Sequence, residues 1–315
     1  MGTFRAVKHD PPSSAARAPI IAISSNKGGV GKTTLTANLA IYLRALREDL
    51  PVLVVGLDDQ RGLDRMFALG PAKPGEGNLK HGWAERTLER VIRLGEYGVH
   101  FVPSPADVAL LKGRAENPMT LRGLLERTAW RGIVILDAKS DLEALTVNAF
   151  HAADRILVPI ADWSSLEEAG KTFRMLERSP VGRGKARVVF TLVDRRARAA
   201  DGGTLLQALL EEVRNRGWPY YKTYLSRSPR VESLNSATSK PLSILHHARG
   251  TAVHGQMREL THEVLEDLGM APEARSTKQE PSVLWGKRRL AAKPLSVQPR
   301  AATGVTKLRE FSRRN

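Results

Sequence analysis

Cysteine is absent from this 315-residue chain, which excludes disulfides and thiolate metal sites. Long apolar runs are absent too. No 18-residue stretch is fit to span a bilayer and no secretory apolar core is present, so a cytosolic protein with no membrane partner is expected. Acid is scarce: 33 Asp and Glu stand against 49 Lys and Arg, a formal charge of +16. A surplus of that size speaks to partners rather than fold, and it favours nucleic acid or an anionic surface. Aromatic residues make up 5% and do not interleave with basic clusters, so no platform for stacking single-stranded bases is visible. Zinc-finger, homeodomain and helix-turn-helix patterns for base readout are also missing. His246-His247 stands without the Cys or carboxylate array that a metal site would need.

The chain does hold the run Ser25-Asn26-Lys27-Gly28-Gly29-Val30-Gly31-Lys32-Thr33-Thr34. An apolar stretch, Pro19-Ile20-Ile21-Ala22-Ile23, precedes it, and a helical pattern with Leu35, Leu39, Leu43 and Leu46 follows. Strand, glycine turn and helix form the context of a phosphate-binding loop. The glycines let successive N–H groups point inward, and the helix adds its positive end. Lys32 is placed to reach outer phosphates and the Thr33 hydroxyl to sit on Mg²⁺. Asn26 occupies the position of the usual first glycine, and Lys27 is an additional lysine beside it.

The hydrophobic content of 42% supports one α/β domain with tails, about 240 to 250 residues in extent. Residues 1–18 read as a flexible arm, 19–268 as the folded domain and 269–315 as a basic, disordered tail. Residues 281–315 carry nine Lys and Arg against Glu310 alone, with prolines and alanines that oppose folding. Apolar strands are expected at Ile20 to Ser24, Pro51 to Leu57, Val99 to Pro103, Gly132 to Leu136, Arg155 to Pro159, Ala186 to Leu192 and Tyr221 to Leu225. Helices are expected at Thr33 to Leu46, Trp83 to Leu94, Leu121 to Ala129, Leu142 to His151, Ser165 to Arg178, Thr204 to Arg214 and Gly255 to Leu268, with a helical turn at Ala106 to Leu111. This alternation predicts a three-layer α/β sandwich around a mostly parallel sheet, the fold class of P-loop NTPases. Two strands end in acid: the second in Asp58-Asp59-Gln60, the fourth in Asp137, the expected Mg²⁺ partner of a phosphate loop. Ser164-Ser165 reads as a helix cap rather than a nucleophile.

From Lys27 to Thr34 the sequence resembles the deviant Walker A motif of the ParA/MinD ATPases, closest to the ParA branch that partitions chromosomes and plasmids. The resemblance extends collinearly through Val54 to Gln60, Phe101-Val102-Pro103-Ser104, Ile135-Leu136-Asp137, Thr146 to Pro159, Thr191-x-x-Asp194-x-Arg196, and Lys222-Thr223, Arg227, Arg230 and Lys240-Pro241. It implies ATP and Mg²⁺ as cofactors and an ATP-dependent homodimer with Lys27 reaching the other subunit's phosphates. Lys32 would hold its own subunit's phosphates, alongside Gly28, Gly29, Val30, Gly31, Thr33 and Thr34. Thr33 and Asp137 would serve the metal, and Asp58 the attacking water. The family also implies non-specific binding of double-stranded DNA, a nucleoid location and a ParB-like or other activating partner. Arg195, Arg196, Arg198, Arg214, Arg216, Arg227 and Arg230 are the DNA-contact candidates.

Two departures point to slow ATP hydrolysis. Gly56 stands where the family has an aspartate, and Asp59, in place of a proline, is expected to compensate in part. Ala138-Lys139-Ser140-Asp141 replaces a Thr-Pro-Pro switch, which loosens that loop. The expected function is a slow, partner-stimulated ATPase switch that segregates DNA or positions a cellular assembly. The alternatives are an ATP-binding adaptor with little hydrolysis, or a P-loop kinase or synthetase acting on a small molecule.

Overall fold

The computed structural model describes residues 17–58, 61–70, 76–105, 107–199, 202–235 and 240–270. The chain divides after residue 277, and all described residues belong to the first unit. The expected arm up to residue 16, Asp59, Gln60 and the basic tail from residue 271 lie outside the described residues.

In chain order the elements are β1 (Ile20–Ile23), α1 (Lys32–Leu46), β2 (Val52–Gly56), α2 (Gly62–Phe67), α3 (Leu79–Glu85), β3 (Arg93–Leu94), β4 (His100–Val102), α4 (Thr120–Thr128), β5 (Ile133–Asp137), α5 (Ala144–Ala152), β6 (Arg155–Ile160), α6 (Trp163–Glu177), β7 (Ala186–Phe190), α7 (Leu205–Asn215), α8 (Pro229–Leu234), α9 (Ile244–His247) and α10 (Ala252–Asp267). The strands form one sheet in the order β3-β4-β2-β5-β1-β6-β7. Every pairing is parallel except β3 with β4. The chain is thus a three-layer α/β sandwich with a mixed, mostly parallel sheet.

Successive residues of each strand face opposite sides, so a strand covered on both faces must be apolar throughout. β1 shows this directly. Ile20 and Ala22 join a core with α3 to α7, whereas Ile21 and Ile23 join one with α1, α2, α9 and α10. β5 divides likewise, with Val134 and Leu136 on the first side and Ile133 and Ile135 on the second. Register places Ile23 opposite Asp137 and Gly56 opposite Asp137, so the ends of β1, β2 and β5 meet at one edge. That edge carries the loop from Ser24 to Gly31.

Two expected elements are corrected. The helix expected over Trp83 to Leu94 ends at Glu85. Arg86 adopts the left-handed conformation (φ 58°), and the Thr87 N–H donates back to the Gly82 carbonyl at 3.1 Å. This is a Schellman-type stop with arginine where glycine is usual. Leu88 folds against Gly82, where a Cβ would lie 2.7 Å from its side chain, and Arg93–Leu94 pairs antiparallel with β4. The strand expected at Tyr221 to Leu225 is reduced to isolated bridges at Tyr220, beside Val188 of β7, and at Ser226, beside Val193 three residues past the end of β7. Between them, the Lys222 and Thr223 N–H groups donate to the Glu263 carboxylate at 2.7 and 2.9 Å, so α10 takes the bonds a strand would use. The turn expected at Ala106 to Leu111 is a 3-10 segment over Val108–Arg114. α8 and α9 are short and were not expected. Pro229 at the first turn and the Ser228 and Ser243 caps start them.

Candidate nucleotide-binding site

The loop from Ser24 to Gly31 is held from three directions. The Ser24 N–H donates to the β6 carbonyl of Leu157 at 3.0 Å, and the buried Thr191 hydroxyl donates to the Val30 carbonyl at 2.8 Å. The Asn26 amide donates to the Glu168 carbonyl on α6 at 3.3 Å. Gly29 and Gly31 have φ of 79° and 81°, a region costly for side-chain-bearing residues. The Leu35 N–H then takes the Gly31 carbonyl at 2.8 Å, and α1 begins at Lys32. Above the loop lies a cavity of about 700 Å³, bordered by Lys27–Gly31, Thr34, Asp162, Asp194 and Arg227.

At the inner end Lys32 is 7% exposed, with Nζ 3.4 Å from Asp137 and 3.6 Å from Asp58. Thr33 Oγ1 donates to Asp137 Oδ2 at 2.9 Å, and Thr36 Oγ1 donates to Oδ1 at 2.9 Å. Thr36 was missed by the sequence reading. Its signal was the three-residue spacing from Thr33, which puts both hydroxyls on one helix face. Two carboxylates and two hydroxyls gather around the Lys32 ammonium. Hard oxygen donors of this kind suit Mg²⁺ completed by phosphate oxygens. Among the described residues no group of three or more His, Asp or Glu side chains forms an all-protein metal cage, which Mg²⁺ does not require.

Lys27 sits at the cavity mouth. Its ammonium lies 2.7 and 2.9 Å from the two Asp162 oxygens of the same chain. Asp162 also caps α6, accepting the Ser165 N–H at 2.8 Å, while the Ser165 hydroxyl accepts the Asp162 N–H. The expected Ser165 cap is therefore the return half of a capping box. Partial burial opposes ionisation of Asp162, but Lys27 and Ser165 hold its carboxyl below the usual range. Both partners are part exposed, at 31% and 46%. Such a pair contributes at most about 1 kcal/mol, so phosphate groups can displace it.

Gly56 has a reason in packing. A Cβ there would lie 2.7 Å from Ser104 Oγ. The carboxylate in this region comes instead from Asp64 on α2, whose two oxygens lie 3.1 Å from the Ser104 N–H. Burial raises the Asp64 pKa against the opposing pull of Ser104 and Arg61. Asp59, expected to compensate for Gly56, lies outside the described residues. After β5, the Ala138 N–H donates to the Ile23 carbonyl, and Asp141 Oδ1 accepts the Glu143 N–H and the Thr146 hydroxyl, each at 3.1 Å. The loop that lacks the two prolines is thus anchored at both ends.

The candidate DNA-contact arginines do not form one face. Arg195, Arg196 and Arg198 are exposed and make no ion pair with a described residue, beside the cavity edge. Arg227 pairs with Glu232 at 2.7 Å in the cavity wall, and the Arg230 guanidinium reaches the His247 carbonyl at 3.3 Å. Arg214 donates to the Tyr220 hydroxyl at 3.0 Å. Arg216 is shared by Glu167 and Glu212, both at 2.6 Å, and lies over Trp218. Arg214 and Arg216 belong to the far end of α7, which rises roughly 16 Å from the cavity edge.

Fold, loop and buried Lys–Thr–Asp cluster together define a P-loop nucleotide-binding protein. A family model described as an AAA domain matches residues 18–170. The chain is 32% identical to the chromosome-partitioning ATPase Soj of Thermus thermophilus over 248 residues, covering 78% of this chain and 94% of that one. Among solved structures it is similar to Cyanothece apo McdA, with a TM-score of 0.64 at 16% identity, covering 79% of this chain and all of that one. It also shares the fold of cobyrinic acid a,c-diamide synthase from Mycobacterium smegmatis with bound ATP analogue and magnesium. There the TM-score is 0.60 at 20% identity, covering 81% and 99% of the two chains. The chain belongs to the ParA/MinD family of deviant Walker A P-loop ATPases.

Proposed function

We propose that this protein is an ATP-dependent, Mg²⁺-requiring dimeric switch that rides on DNA and segregates DNA or positions a cellular assembly. The observation that carries this reading is the division of labour between two lysines of one loop. Lys32 is buried on the Asp58–Asp137 pair, whereas Lys27 rests on a part-exposed carboxylate at the cavity mouth. A lysine so placed can leave Asp162 and reach phosphates presented by a second subunit. Gly28 to Gly31 cradle the phosphates with their N–H groups, Lys32 and Thr34 contact them within the subunit, and Thr33 and Asp137 hold the metal. Bound Mg²⁺ neutralises charge on the phosphate oxygens. Asp58 orients the attacking water, and Lys27 supplies positive charge where it develops in the transition state.

Hydrolysis is expected to be slow and to need an activating partner. The carboxylate absent at Gly56 and the altered loop after Asp137 support that expectation. Non-specific double-stranded DNA is the proposed track, which places the protein in the cytoplasm on the nucleoid. The chromosome-partitioning activity named for the Thermus relative and the formal charge of +16 support this. Among the described residues no helix is long and apolar enough to cross a membrane.

Light scattering of the full chain with and without ATP and Mg²⁺ tests the switch. The wild type and Asp58→Ala are expected to dimerise only with nucleotide, and Asp58→Ala to hydrolyse roughly 100-fold more slowly or worse. A chain that stays monomeric with ATP while phosphorylating or ligating a small molecule would instead support the kinase or synthetase reading. Dimerisation without measurable turnover, even with partner, would support the adaptor.

A further inference from the structure

A second concave site lies between α3, α4 and the 3-10 segment that precedes α4, and no residue lines both it and the nucleotide cavity. Its volume is about 510 Å³. Three arginines converge on it: Arg86 from the end of α3, Arg114 from the end of the 3-10 segment, and Arg127 from the last turn of α4. No Asp or Glu lines it. None of the three arginines has a carboxylate within 4 Å among the described residues; Glu116, beside the lining Asn117, is exposed and makes no ion pair with a described residue, and two other neighbouring acids are turned to other arginines. Glu126 holds Arg122 at 2.6 Å, and Glu85 lies 4.0 Å from Arg90.

Arginines without an ion pair to a described residue occur elsewhere, as at Arg195, Arg196 and Arg198, but many others are paired. Arg47, Arg93, Arg122, Arg155, Arg183, Arg187, Arg216 and Arg227 each have a carboxylate partner. Three uncompensated guanidinium groups in one concavity repel one another, and an anion relieves that repulsion. One of the three is also built in. Arg127 Nε donates to the Arg86 carbonyl at 2.8 Å. Its guanidinium lies against Gly123, with Nη1 3.3 Å from where a Cβ would sit. Gly123 therefore leaves room for Arg127 to fold down along its helix into the cleft rather than project from it.

We infer that this cleft binds an acidic peptide segment of a partner protein, with Arg86, Arg114 and Arg127 taking its carboxylates and Met119 contacting an apolar side chain. Arginine forks match carboxylates in a bidentate fashion, and clustered arginines recognise acidic motifs. An acidic peptide is favoured over phosphates because Met119, 49% exposed at the rim, supplies apolar surface that phosphates would not use. The inference is independent of the nucleotide reading.

Fluorescence anisotropy on the full chain without nucleotide tests it. The probe is a fluorescein-labelled peptide of alternating glutamate and leucine, set against its glutamine counterpart and a labelled DNA duplex. Arg114→Gln with Arg127→Gln is expected to weaken the glutamate peptide about tenfold or more, while Arg178→Gln with Arg258→Gln, equal in charge, changes it less than about twofold. Arg114→Lys with Arg127→Lys keeps the charge but loses the fork, and should fall between. Unchanged melting temperatures show that each variant is folded. Equal losses in both glutamine pairs, no loss in the cleft pair, or a loss confined to the DNA duplex would each overturn the proposal.

Discussion

At the scale of single residues, the site rests on who holds each charge. Lys27 is held in its own chain by Asp162, and the carboxyl lies below its usual range. A depressed carboxyl keeps its charge at neutral pH, and the contact is lost only as pH falls through the folded-state value. Asp162→Asn retains a good helix cap but frees Lys27. Each dimer releases two such pairs, so ATP-dependent dimers should then form at protein concentrations lower by up to about 30-fold, and by the same factor across neutral pH. Sedimentation equilibrium measures this; weaker dimerisation would show that Asp162 serves the dimer rather than restraining the lysine. Asp64 carries the opposite sign. Its raised carboxyl binds a proton more readily folded than unfolded, so its contribution falls as pH rises through the folded-state value. Asp64→Asn keeps an acceptor for the Ser104 N–H and should abolish that decline in urea unfolding across acidic pH. Asp64→Ala strands the N–H and should cost about 1–3 kcal/mol.

At the scale of elements, the site depends on strands ending together. Gly132 precedes β5, and a Cβ there would lie 1.9 Å from the Pro51 carbonyl oxygen. Gly132→Ala must move the entry of β5 against β2, and should cost about 1–3 kcal/mol by urea unfolding. Much of this architecture was legible in the sequence. Ile20 to Ile23 and Ile133 to Leu136 are apolar at every position because both strand faces are covered, and Asp137 marks the strand end. Lys32, Thr33 and Asp137 could be placed together because the strand–loop–helix pattern leaves one arrangement. What could not be read depended on contacts distant in sequence. The stop of α3 needs Leu88 folded on Gly82, and the failed strand beyond Tyr220 needs Glu263 from α10. The pairing of Lys27 with Asp162 spans 135 residues, and Asp64 is recognisable as a partner of Ser104 only once α2 and β4 are side by side.

At the scale of the whole molecule, the charge of +16 is unevenly available. Arg216 is already shared by Glu167 and Glu212, whereas Arg195 and Arg196 make no ion pair with a described residue. If DNA is the track, Arg195→Gln with Arg196→Gln should reduce the slope of log affinity against log salt by about 2 for each subunit that contacts the duplex, about 4 for the dimer. Arg216→Gln should leave it nearly unchanged, as fluorescence anisotropy on a labelled duplex will measure. The nucleotide switch itself is a statement about two subunits, and mixing inactive variants examines it. Lys27→Ala and Asp58→Ala should each lose ATP turnover by roughly 100-fold or more. If Lys27 acts across the dimer, a mixed dimer contains one site with an intact Asp58 from the first variant and an intact Lys27 from the second. Combining the two inactive proteins with ATP and Mg²⁺ should therefore restore turnover well above the sum of the separate rates. A mixture no more active than that sum would contradict the assignment of Lys27 to the partner's phosphates.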